Sequence, residues 1–407
     1  LETNKKVFVL TSSFPRYKGD SAGNFVFETS KRASLFGFKM IILSPHHFNS
    51  KFVENMEGLD IQRFAYFRPF KYQFLYRDGG ILYNLRQSYL ATLQVPSFFL
   101  SELFNAIKIV KVHDISVIHS HWLLPQGLVG VICKKIFNIP LIISCYGTDV
   151  LVLNRFEYTK KIAAYILNNS DRILTESSFT KSILPINKEI IEQKVSVIPM
   201  GVDREKFNQQ NHNDLKIKFD ADHIIFSLGR LVERKGINYL ICAMKRVIIE
   251  FPRAKLIIGG TGPELENLKN LAEYLDIINS VIFAGFISDS DLPSYYKSSD
   301  AFVLPSITVQ YGDIEGQGIV LLEAMACGTP VIGTNVGGIA SIITNNYNGF
   351  LINEKSPEEL ADRIIQLIVN EELASSFKIN GLKEVDKNFS WDIIGEKFAK
   401  IYNQISK

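Results

Sequence analysis

What most constrains this chain is the repetition of one pattern, a short apolar run followed by a stretch with helical periodicity. In the second half the apolar runs fall at 223–228, 255–259, 280–284, 301–304, 330–333 and 349–352, with helical patterns between them. In the first half they fall at 6–13, 40–44, 117–119, 141–145, 172–175 and 195–199, with helices expected over 25–36, 127–137 and 160–167. Repeated strand-helix units predict parallel sheets, an α/β fold. A length of 407 residues suits two domains of ordinary size, and 46% hydrophobic residues supply a core for each. The polar run 208–213, Asn-Gln-Gln-Asn-His-Asn, reads as the linker, which sets the expected domains at 1–205 and 206–389.

In open sheets of this kind ligands bind beyond the carboxyl ends of the strands, so the loops after the apolar runs are where chemistry is expected. The richest is Glu315 to Pro330, Glu-Gly-Gln-Gly-Ile-Val-Leu-Leu-Glu-Ala-Met-Ala-Cys-Gly-Thr-Pro. Gly316 and Gly318 free the backbone to approach a ligand, and a short helix from Ile319 to Cys327 follows, closed by Gly328. The unpaired N–H groups at Gly318 and Ile319 favour an anion, phosphate being the usual one. Glu315 and Glu323 have seven residues between them. Eight steps at about 100° each leave them out of phase, with Glu315 on the loop and Glu323 on the helix side wall. They would grip different parts of one extended ligand. The helix is apolar on every side, so Glu323 requires either a ligand or a partner within the core.

Arg230 and Lys235 lie just past an apolar run, on either side of a short loop, where two positive charges neutralise a diphosphate without a metal. The loop after the first run holds Gly19 and Gly23 without forming G-x-G-x-x-G, which weighs against a simple dinucleotide site and leaves a diphosphate, an acceptor or an ordinary surface loop open. Asp289-Ser-Asp291 is a literal D-x-D, but it precedes Leu-Pro-Ser-Tyr-Tyr and reads as a helix cap. His46-His47 and His119-Ser-His121 lack a third ligand at metal spacing, so no metal is expected.

The charge balance, 45 basic against 42 acidic residues and a net +3, argues against a nucleic-acid partner. Cys133, Cys145, Cys242 and Cys327 are dispersed in apolar surroundings and read as reduced core residues, which suits a cytoplasmic protein. No secretory signal is visible, and the start at Leu1 rather than Met leaves a preceding segment open. The greasy region 90–110 is broken by Gln94, Pro96, Glu102 and Lys108 and falls short of the roughly 20 apolar residues of a membrane span. In the stretch 61–77, Phe64, Tyr66, Phe67, Phe70, Tyr72, Phe74 and Tyr76 interleave with Arg63, Arg68, Lys71 and Arg77. Such a stretch suits an anionic lipid surface, a stacked nucleobase or packing with only the charges exposed.

The Glu-x7-Glu stretch resembles the signature of retaining glycosyltransferases of family 4. The resemblance extends to Gly-Arg-Leu-Val-Glu-Arg-Lys-Gly at 229–236, Gly-Gly-Thr-Gly-Pro-Glu at 259–264, Ile-Pro-Met-Gly-Val-Asp at 198–203 and Phe-Pro-Arg near the start. It implies the GT-B architecture, two Rossmann-like domains facing a cleft, with the last helix, 390–407, crossing back to the first. It implies a nucleoside diphosphate sugar as substrate, no cofactor, and an acceptor on a glycan or lipid. Arg230, Lys235, Gly23, Gly318 and Ile319 are then expected at the diphosphate, and Glu315, Gly316, Gln317 and Glu323 at the sugar and ribose. Gly262, Phe286 and Ile287 are expected at the nucleobase, and His121, Tyr146 and Asp149 at the reacting centre. Tyr146 stands where many members carry a His, Gln317 where Phe is common, Met200 where Asn is common, and Ala340-Ser341 where Pro-Glu is common. A nucleotide-sugar 2-epimerase and a non-catalytic sugar-nucleotide binding protein are the alternatives on the same architecture.

Overall fold

The computed structural model describes residues 5–20, 22–77, 81–207, 215–310 and 314–406. The chain forms two compact units, one made of Leu1–Glu176, Thr180–Ile198 and Trp391–Lys407, the other of Ser177–Phe179 and Pro199–Ser390. The main break in the chain therefore falls at Ile198/Pro199, upstream of 205/206, and the polar run 208–213 lies outside the described residues.

The first unit carries β1 (Lys6–Leu10), β2 (Lys39–Pro45), β3 (Val53–Met56), β4 (Leu59–Phe64), β5 (Val117–His121), β6 (Leu141–Cys145), β7 (Arg172–Thr175) and β8 (Val195–Val197). Their order is β3-β4-β2-β1-β5-β6-β7-β8, and every neighbouring pair is parallel except β3 with β4. Val7 to Leu10 are fully buried, as expected of a strand with helices on both faces. The order turns back between β1 and β5, which makes the loops after those strands the switch point of this sheet. The helix Trp391–Ile405 belongs to this unit. Its Gly395 sits so close to the helix Asn24–Ser34 that a Cβ would stand 2.6 Å from Arg32 Cβ, and Asp392 pairs with Arg32 at 2.8 Å.

The β3–β4 hairpin was not anticipated. Its strands are short and partly polar, and its turn is made by Glu57 and Gly58 with φ of 52° and 89°, the two positive values a tight hairpin turn requires. The greasy region resolves into the helix Val95–Val112, with a proline in its first turn. Among the described residues no helix is long and apolar enough to cross a membrane. The aromatic stretch 61–77 divides. Phe64, Tyr66 and Tyr76 are core residues, while Phe67 and Tyr72 are exposed. Arg63 leaves the expected basic surface altogether: it is 5% exposed, paired with Glu54 and donating to Pro15 O at 2.8 Å.

The second unit carries β9 (His223–Leu228), β10 (Ala254–Gly259), β11 (Val281–Gly285), β12 (Ala301–Leu304), β13 (Val331–Thr334) and β14 (Phe350–Ile352), all parallel in the order β11-β10-β9-β12-β13-β14. This is the doubly wound order, and its switch point lies between β9 and β12. The loop 229–236 and the segment that starts at Pro305 leave the sheet there.

Candidate functional site

At the switch point of the second unit the two loops are locked together. Gly236 has φ 62°, and a Cβ on it would stand 2.0 Å from Pro305 O, so no other residue fits. Ile307 N donates to Arg234 O at 2.8 Å across the same seam. Between the loops lies Glu315, whose Oε2 accepts from Lys235 Nζ at 2.5 Å and Arg234 Nη1 at 2.8 Å. Burial alone would raise this carboxyl. Lys235 and Arg234 outweigh it and hold Glu315 below the usual carboxylate range.

Three residues on, the helix Ile319–Ala326 begins at Gly318, with φ 86°, no side-chain cap and no acid in its first turn. Its N–H groups and dipole are thus aimed at the loop that carries Glu315. The helix Ile237–Glu250 likewise starts without a side-chain cap, at Gly236. Lys235 and exposed Arg230 flank the short loop that leads into the second of these helix starts, a combination suited to a diphosphate. Glu323 lies on the helix and accepts from the fully buried Tyr296 Oη at 2.7 Å. Burial raises its pKa, with the Tyr296 hydrogen bond opposing. Phe286, 84% exposed, stands beside β11, while Ile287 is folded into the core.

The first unit has its own constellation. The helix Asn24–Ser34 starts at Gly23, φ 63°, where a Cβ would stand 2.2 Å from Ser13 O, again a place only glycine can fill. Phe25 lies edge-on to Trp122 and Tyr146, with ring centroids 5.7 and 5.0 Å away. His121 Nδ1 is 2.6 Å from Tyr146 Oη. Its Nε2 is buried without a hydrogen-bond partner among the described residues. Burial, with His119 alongside, depresses the His121 pKa far below the ordinary value and favours the neutral imidazole. His119 is fully spent: Nδ1 meets Tyr402 Oη and Nε2 meets Ser144 Oγ, each at 2.8 Å, and burial brings its pKa down to about 3.

Trp122 adopts φ 73°, ψ 152°, a backbone region almost reserved for glycine. Asp149 holds the strained segment in place. Its Oδ2 accepts from Leu123 N at 2.9 Å and its Oδ1 from Tyr146 N at 2.8 Å. Both oxygens thus accept from backbone N–H groups, which fixes the Asp149 carboxylate in place. Burial pushes its pKa up to about 7, against the backbone N–H groups.

Two expectations change. Gln317 does not face a sugar: it is 4% exposed, accepts from Met200 N at 2.8 Å and donates to Met200 O at 3.2 Å. The two departures at 200 and 317 thus contact each other. Of the D-x-D, Asp291 is the N-cap residue of the helix Leu292–Lys297 with Pro293 in its first turn, as expected, but its side chain makes no cap: Asp291 accepts from Ser288 Oγ at 2.7 Å, and Asp289 pairs with Lys206 at 2.9 Å. Arg234, Tyr296, Trp122 and Glu176 were not singled out in the sequence. Glu176 Oε1 accepts from Gly147 N at 2.7 Å and Thr180 Oγ1 at 2.8 Å, and burial brings its pKa up to about 7.

Comparison with known proteins finds relatives across both halves of the chain. Residues 208–384 match the family described as glycosyl transferases group 1, and residues 22–206 match glycosyltransferase family 4. The chain is 33% identical to an uncharacterized glycosyltransferase of Methanocaldococcus jannaschii, across 75% of this chain and 82% of that one. It is 27% identical to a GDP-mannose-dependent alpha-(1-6)-phosphatidylinositol monomannoside mannosyltransferase of Mycobacterium tuberculosis, across 72% of this chain and 77% of that one. Among solved structures, sucrose-phosphate synthase from Thermosynechococcus elongatus superposes with a TM-score of 0.77 at 22% identity, covering 98% of this chain and 99% of that one.

Proposed function

Because this chain belongs to glycosyltransferase family 4, we propose that it moves a hexose-type sugar from a UDP- or GDP-sugar to a hydroxyl of a glycan or lipid-linked acceptor, with retention of anomeric configuration and without a metal. The supporting observation is Glu315 held charged by Lys235 and Arg234 beside an uncapped helix N-terminus. The bond from the anomeric carbon to the diphosphate oxygen breaks, the acceptor oxygen bonds to that carbon, and the acceptor proton passes to the departing phosphate. Arg230, Lys235 and the N–H groups at Gly318 and Ile319 stabilise the charge that builds on the leaving group. Glu315 holds sugar hydroxyls and Glu323 the ribose diol, with Gly316 allowing close approach. Gly262 and Phe286 line the base. On the first unit, Gly23, His121 and Tyr146 serve the reacting sugar and the acceptor hydroxyl.

The mannosyltransferase relative is named for a phosphatidylinositol acceptor, which supports an acceptor carried on a lipid or surface polymer, reached from the cytoplasmic face by transient contact with the membrane. The four unpaired cysteines suit that compartment. The test is to incubate the protein with UDP- and GDP-hexoses, with and without detergent-solubilised lipid acceptors, in EDTA, and to follow nucleoside diphosphate release. Acceptor-dependent release that persists in EDTA and yields the retained anomer is expected. Release that stops in EDTA and returns with Mn²⁺ would overturn the charge assignment, and release of free sugar without acceptor would favour an epimerase.

A further inference from the structure

The surface built on the helix Val95–Val112 is unlike an ordinary solvated helix face. Leu100 and Phe104 are 62% and 69% exposed, and Lys108 and Lys111 are exposed further along. Spacings of four, eight and eleven from Leu100 place all of them on one stripe. The preceding short helix, Tyr89–Leu93, exposes Tyr89, Leu90 and Leu93. The loop 65–77 runs beside both: Gln94 accepts from Phe74 N at 2.9 Å and donates to Tyr72 O at 2.7 Å, and Ser101 Oγ donates to Ala65 O at 2.8 Å. That loop exposes Arg68, Lys71 and Arg77, with Lys71 5.0 Å from the Tyr72 ring and Arg77 4.1 Å from the Phe74 ring.

The charge is one-sided. Among the described residues of 65–112 the acidic side chain is Glu102, which is fully buried. None of Arg68, Lys71, Arg77, Lys108 and Lys111 forms an ion pair among the described residues. Exposed apolar side chains on neighbouring elements, interspersed with cations that make no ion pair among the described residues, mark an interaction surface. A second copy meeting this face symmetrically would bring cation against cation. Negatively charged headgroups over an apolar layer complement both features at once, since the cations meet the headgroups and Leu100 and Phe104 enter the layer. We propose that this face of the first unit docks on an anionic lipid surface, the helix lying in the plane of the interface. The proposal deepens the lipid-acceptor reading above and rests on it for its purpose.

The test uses the full chain in co-sedimentation with vesicles of phosphatidylcholine alone and of phosphatidylcholine with phosphatidylglycerol in equal parts, at low and at molar salt. No donor or acceptor is present, so this proposal and the transferase reading fail separately. Binding is expected to the anionic vesicles at low salt and to be lost at molar salt. Lys108→Gln with Lys111→Gln should lower the partition about thirtyfold, each cation near an anionic leaflet being worth about 5.5-fold. Leu100→Ser with Phe104→Ser should abolish binding while leaving the melting temperature unchanged, because both side chains are exposed. Wild-type protein that ignores both vesicle types, or variants that bind as it does, would overturn the proposal. So would a dimer dissociated by Phe104→Ser, which would assign the face to a second copy.

Discussion

Glu315 shows how a single residue is tuned. Its folded pKa lies below the ordinary 4.5, so its pairing stabilises the fold above that pH and the contribution is lost as pH falls through the depressed value. Lys235→Met removes the proposed phosphate ligand and leaves the carboxylate with Arg234 alone. It should lower kcat/KM for the donor by about 10²–10³ and shift the acid limb of the rate profile upward, which steady-state kinetics against pH will read. Glu102 has the opposite sign. Buried with Gln126 Nε2 3.2 Å from Oε1, its carboxyl is raised to about 8. Stability from this group is therefore fully present below the unfolded value near 4.5 and drains as pH rises toward 8. Glu102→Gln should be more stable than wild type at pH 8 and nearly equal to it at pH 5, measured by denaturant melts. Much at this scale was legible in the sequence, because Glu315, Glu323, Arg230 and Lys235 are set by local spacing around two loops. Arg234 and Gln317 were not. Their partners, Glu315 and Met200, lie far away in sequence, and no local pattern announces a contact made by folding.

At the level of elements, the parallel strands were readable because both faces are buried. β9 at 223–228 and β6 at 141–145 are predominantly apolar runs, broken only by His223, Ser227 and Ser144. The β3–β4 hairpin escaped because Val53, Glu54, Asn55 and Met56 carry no strong alternation, and its register depends on the Glu57–Gly58 turn. The helix Val95–Val112 escaped for a different reason: it buries Phe98, Ala106 and Ile109 yet exposes Leu100 and Phe104, so its apolar residues run round the cylinder and mask the period. The helix Trp391–Ile405 reaches the site of the first unit through one hydroxyl, Tyr402 Oη on His119 Nδ1. Tyr402→Phe keeps the ring in its packing but strands a buried imidazole nitrogen. A loss of about 1–3 kcal/mol is expected in urea melts, with Ser144→Ala, at the other nitrogen, costing a similar amount.

For the molecule as a whole, the proposed donor-binding loops of the second unit arise from one sheet, so a nucleoside diphosphate is expected to stabilise that unit by mass action. Calorimetry with the nucleotide at a hundredfold excess over its Kd should add about 2.7 kcal/mol to the transition of residues 199–390. Lys235→Met should cancel the shift. Tyr402→Phe should instead lower the transition of the first unit and leave the nucleotide response intact.

The first unit is written in separate pieces of chain, with Trp391–Lys407 as its last. On the ribosome this has a cost in time. At about 5–20 residues per second, the helix that covers Asn24–Ser34 emerges on the order of ten seconds or more after β8. Through that interval the nascent chain holds His119 without Tyr402 and the Arg32 side of its first helix without Gly395. A stalled chain ending before Trp391 should therefore be held by chaperones and cut readily by protease near Asn24–Ser34, while the 199–390 portion already resists digestion. The part made first is completed last.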